Sequence, residues 1–167
     1  MLATLISIPI FGILIVLQST LVNHLTLLQG TADIILLTVI AWALHQRVKT
    51  AWQWSIIAGL VFTFASALPF GVSLIAYLTI TAITRFMRRH TWRIPLLTML
   101  VLAFIGTVVM HGFSLTAIKL SGNPIPVMDA IGLITLPSIL LNLIFAIPIF
   151  AIFNDLANWL YPEEIEV

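Results

Sequence analysis

Clustered arginine and lysine twice interrupt long apolar stretches of this chain, first at Arg47 and Lys49, then at Arg85, Arg88, Arg89 and Arg93. These clusters hold six of its seven basic residues. Loops that stay in the cytoplasm retain Lys and Arg, whereas translocated loops lack them, so both clusters are read as loops on the same inner face of a membrane. That assignment limits how the chain can thread.

Composition agrees with a membrane setting. The chain has 167 residues, of which 61% are hydrophobic and 8% charged, against about 25% charged in soluble domains. A mean hydropathy of +1.17 leaves no stretch for a separate soluble domain, so any chemistry must sit in the bilayer or on short loops. Only Lys119 lies outside the basic clusters, which argues against the continuous basic surface that nucleic acid requires. The absence of cysteine excludes disulfides, thiol catalysis and thiolate-bound metal. Met1 to Val22 lacks a basic leader and a small-x-small cleavage site, and is read as a retained span.

The fold expected is an all-α membrane protein, a bundle of six transmembrane helices in one domain. The spans are Leu2 to Val22, Ala32 to Leu44, Ala51 to Leu68, Val72 to Thr84, Ile94 to Ile118 and Ala130 to Leu160. Pro9 and Gly12 permit a bend in the first. The second is short, and Asp33 at its start suits the positive end of a helix dipole. Trp52 and Trp54 open the third and Trp92 precedes the fifth, where interfacial indoles are expected. Pro69-Phe70-Gly71 is read as a tight outer turn, and Lys119 to Met128, containing Ser121-Gly122-Asn123-Pro124 and Pro126, as a turn-rich outer loop. The last span exceeds what a straight helix needs and contains Pro137 and Pro148, so a kink or a separate interfacial piece is expected. Six spans place both termini and both basic loops in the cytoplasm. No internal repeat of the kind that builds inverted-repeat transporters is visible.

Ionisable groups within a bilayer are functional candidates. His111 is the one nearest the middle of a span, and it is read as hydrogen-bonded to a neighbouring helix. His24, His45 and His90 fall in loops, so no haem or metal site is expected. HExxH, GxSxG and Walker patterns are absent, as are paired carboxylates, so no catalytic residues are assigned. Gly59, beside Ala58 and four residues after Ser55, gives the third helix a small face for close packing, with Gly106 and Gly112 read likewise. Gln18, Asn142 and Asn154 are expected to bridge helices. Arg85, Arg88, Arg89 and Arg93 are candidates for contact with anionic lipid or an acidic cytoplasmic partner.

The order of these landmarks is informative. Leu17-Gln18-Ser19-Thr20 ends the first span, Ala32-Asp33-Ile34-Ile35-Leu36 opens the second, and Gly59-Leu60 precedes Pro69-Phe70-Gly71. The chain resembles the rod shape-determining MreD family, in which a Leu-Gln-Ser-Thr-like end, a Pro-Asp-Leu-like start and a Gly-Leu-x-x-Asp stretch before a Pro-x-Gly turn recur. Ala32 stands where that family often has proline, and Thr63 where it often has aspartate.

The resemblance implies a fold similar to the substrate-binding S-components of energy-coupling factor transporters. It also implies a non-enzymatic subunit of the bacterial inner membrane, without cofactor. Such a subunit binds the single-span protein MreC and links MreB filaments to the elongation-specific glycosyltransferase and transpeptidase pair of peptidoglycan synthesis. Gln18, Asp33, Gly59, Thr63, Pro69, Gly71, His111 and Asn142 are then candidate packing, partner or pocket positions. The alternative is a vitamin or cofactor transporter subunit, whose pocket near the outer face would use Asp33, Asn123 and His111.

Overall fold

The computed structural model describes residues 2–20, 22–89, 94–122 and 126–162, and among them the chain is helical without a β-strand. The helices are α1 (Leu2–Thr20), α2 (Ile34–Leu44), α3 (Ala51–Ala65), α4 (Val72–Arg88), α5 (Pro95–Leu120), α6 (Val127–Ala130) and α7 (Leu136–Leu160). One π-helical turn, Ile131–Thr135, joins α6 to α7. Three stretches are long and apolar enough to cross a membrane: Leu2–Thr20, Pro95–Leu120 and Val127–Leu160. Shorter apolar helices cover Ile34–Leu44 and Ala51–Ala65. This is an all-α membrane protein.

All eleven residues of α2 are buried. The helix forms the axis of the bundle, with α3, α4, α5 and α7 packed around it and α1 resting mainly on α3. Its unbroken apolar run explains this, since a helix hydrophobic on every side has no face to give to solvent. Eleven residues rise only about 16 Å, roughly half of a ~30 Å hydrocarbon layer. The segment before α2 therefore enters the bundle as irregular backbone, folded by a 3-10 turn at Val22–His24 and an isolated bridge between Leu27 and Gly30.

Aromatic rings fill the end where α2 finishes. Trp42 stacks on Trp54 with centroids 3.9 Å apart, and Phe11 and Phe153 meet Trp54 edge-on. Trp54 is thus a core residue, contrary to its expected place at an interface. Its N–H is accepted by the Ala3 carbonyl at 2.9 Å, which is the partner a buried indole needs. Trp52 remains exposed.

Other boundaries also differ from the sequence reading. α3 stops at Ala65, three residues short, because Ser66 adopts extended backbone. α4 continues to Arg88, so half of the expected basic loop is helix. Arg85 and Arg88 there lie on its last turn, where positive charge complements the carbonyl end. Helices run through Pro9 and Pro148 without interruption. The long final span is one helical stretch from Val127, marked by the π turn rather than divided into separate pieces. Pro137 has no N–H for the Leu133 carbonyl, and the Gln29 N–H takes that acceptor at 3.1 Å.

Gly59 meets α4 closely: a Cβ there would stand 2.7 Å from Leu74 Cα. Gly30 is as tight against the π turn and α7, 2.6 Å from the Ser138 nitrogen. Gly106 faces Ile40, whereas Gly112 faces open space and does not pack as expected.

Candidate functional site

A buried helix start creates a chemical problem that the polar residues of this chain solve. The first N–H groups of α2 have no partner within the helix, and inside a membrane protein no bulk water replaces it. Asp33 caps the helix, its Oδ1 accepting the Leu36 N–H at 2.8 Å. Gln18 Oε1 accepts the Ile34 N–H at 3.0 Å, and Gln18 Nε2 donates to the Ala32 carbonyl at 2.6 Å. Asn142 Oδ1 accepts the Asp33 N–H at 2.7 Å. Upstream, the Ser138 hydroxyl accepts the Thr31 N–H at 3.1 Å.

The same groups extend into a seam across the bundle. Tyr77, fully buried on α4, donates its hydroxyl to Asp33 Oδ2 at 3.2 Å. Asn142 Nδ2 donates to Thr107 Oγ1 at 2.8 Å, whose own proton goes to the Ala103 carbonyl. His111 Nδ1 pairs with Thr135 Oγ1 at 3.0 Å. The Thr135 hydroxyl also reaches the Ala130 carbonyl at 3.3 Å, so a proton on His111 Nδ1 would let both contacts form together. The histidine's contact with a neighbouring helical turn is the one expected of it.

A cavity of about 310 Å³ opens beside this seam, lined among others by Gln18, Asp33, Phe62, Ser66, His111 and Ser114. Asp33 and His111 thus line one space, while Asn123 lies outside the described residues. Sequence reading placed Asp33 near a span end, yet the irregular approach to α2 draws it into the bundle.

Gln18, Asp33, His111 and Asn142 come together in this region. Gly59 and Thr63 do not: Thr63 turns its hydroxyl back to the Gly59 carbonyl at 2.6 Å on the same helix. Pro69 and Gly71 form the turn into α4, where Val72 N–H donates to the Pro69 carbonyl and Gly71 adopts a φ of 87° that favours glycine. Arg89 is exposed, and Arg93 is outside the described residues. Asn154 lines a separate surface pocket with His45 and Asn158. Tyr77, Thr107, Thr135 and Ser138 were not singled out from sequence. Tyr77 and Thr107 are each one of several hydroxyls on their helices, and Thr135 and Ser138 lie near the start of an apolar one, a pattern that any packed membrane helix can show. The chain finds no match among protein-family models, curated proteins or solved structures.

Proposed function

We propose that this chain is a non-enzymatic adaptor of the bacterial inner membrane, an MreD-like subunit of the cell-elongation complex. It threads the membrane six times in an arrangement like that of the S-components, with both termini in the cytoplasm. It binds MreC and through it couples MreB filaments to the enzyme pair that makes peptidoglycan. One observation carries this reading. The two motifs on which the resemblance rests, at 17–20 and 32–36, meet in space, because Gln18 of the first clamps the backbone of the second on both sides. Motif residues spent on holding helices together suit a scaffold. The outward faces support the same role: Leu5, Ile13, Val16, Leu140, Ile144 and Ile147 are exposed apolar groups on which a partner helix can pack through close contact. Copurification of the untagged chain from native membranes tests the proposal. A single-span, coiled-coil companion is expected, and depletion in a rod-shaped host should round the cells.

The cavity beside Asp33 and His111 favours a second reading, a subunit that captures a small polar molecule. It holds several convergent polar groups, as specific small-molecule sites do. Isolation with a pair of ATPases and a bound metabolite would favour this reading over the adaptor.

A further inference from the structure

The two basic segments converge on one open basin of about 790 Å³ at the end of the bundle where α2 finishes. Its walls include Arg47 and Lys49 from the first segment, Arg85 and Arg88 from the last turns of α4, and Leu160 and Tyr161 from the end of α7. Two of the arginines are fastened by carbonyls. Arg88 Nη1 donates to the His45 carbonyl at 2.8 Å, and Arg47 Nη1 donates to that of Tyr161 at 3.3 Å. Arg85 differs from both. Its Nη1 is buried and has no hydrogen-bond partner among the described residues, an expensive condition for a charged donor.

Positive charge is also crowded here. Burial, and then the neighbouring charges of Arg85 and Arg89, hold the Arg88 guanidinium below the ordinary arginine range. The described acids Asp33, Asp129 and Asp155 do not line the basin. A buried donor without an acceptor, set among like charges, calls for an anion with several acceptor oxygens. Guanidinium forks match phosphate oxygens in this way. Apolar Leu160 in the wall and exposed Phe86 on α4 suit the acyl chain that accompanies a phospholipid headgroup.

We propose that this basin binds the phosphate group of an anionic ester among Arg47, Lys49, Arg85 and Arg88, with Arg85 holding the donor that lacks a partner. The site differs from the sequence expectation in drawing on both basic segments and in leaving Arg89 outside. It is independent of the adaptor reading, which requires no bound anion.

The full chain tests this in nanodiscs of phosphatidylcholine with and without phosphatidylglycerol, with retained lipid read by native mass spectrometry. The tested protein retains Glu163, Glu164 and Glu166, which follow the basin in sequence. The unsubstituted protein should retain phosphatidylglycerol selectively. Arg85→Gln should weaken that preference about fivefold, the effect of one basic residue near an anionic surface. Lys49→Gln, at an exposed position, should do the same, and Arg89→Gln should not. Glycerol phosphate binding in pure phosphatidylcholine discs, lost in the same two variants, would support the site with a soluble ester as its source. Retention of neither ester, an equal loss in Arg89→Gln, or binding of an acidic peptide alone would overturn it.

Discussion

The backbone N–H of Asp33 and the side-chain oxygen of Asn142 meet at 2.7 Å, although 109 residues separate them in the chain. Asn142 uses its amide nitrogen as well, donating to Thr107, so one buried side chain joins α2, α5 and α7. Asn142→Leu keeps apolar bulk but leaves the Asp33 N–H without an acceptor. A loss of about 1–3 kcal/mol is expected. Unfolding in mixed detergent micelles measures it, and an unchanged midpoint would remove Asn142 from this role.

Gly59 sits where any Cβ would strike the α4 backbone near Leu74. Gly59→Ala should therefore lower the thermal midpoint even though alanine is the better helix former, and Gly59→Leu should lower it further. Gly112→Ala, facing open space, should be neutral or stabilising. Equal effects at the two positions would refute close packing at Gly59.

Gln18 holds α1 to the head of α2 through two hydrogen bonds. Gln18→Leu should speed amide exchange at Ile34 while leaving the α3–α4 pair protected. Exchange that rises evenly along the chain would mean general destabilisation instead.

How much of this was legible beforehand depended on the kind of signal. Apolar length and basic punctuation located the helices, because these follow from the bilayer itself. Asp33 at the positive end of a helix and His111 as an interhelical partner could be read from residue type and place. The depth of Asp33 could not, since only the packing of α2 reveals that its start is buried. Trp54 was misplaced for a related reason: an indole near a helix end suits a water interface or a core with a carbonyl in reach, and the Ala3 carbonyl is 51 residues away in sequence.

His45 lies in the first basic segment, outside the membrane-spanning helices. Burial chiefly holds its pKa below the ordinary value of 6.5, with the charges of Arg47 and Arg88 adding to this and a hydrogen bond to Asn158 opposing it. The unfolded chain therefore takes up the proton first as pH falls. This contribution to stability is constant above pH 6.5 and declines as pH drops below it. His45→Gln should flatten that dependence; an identical slope in both proteins would exclude His45 as its source.

The six-span proposal makes a separate commitment. Reporter fusions at either end should give cytoplasmic signals. A periplasmic carboxyl terminus would refute it.

The head of α2 also sets a schedule for biosynthesis. Its acceptors on α7, Ser138 and Asn142, are synthesised 107 and 109 residues after the amides they serve. Until that helix arrives, the amides of Thr31 and Asp33 must be shielded by water or by the insertion machinery. The amino-terminal half consequently cannot mature on its own, and a nascent chain interrupted before α7 would present quality-control proteases with an unfinished centre rather than a smaller stable protein.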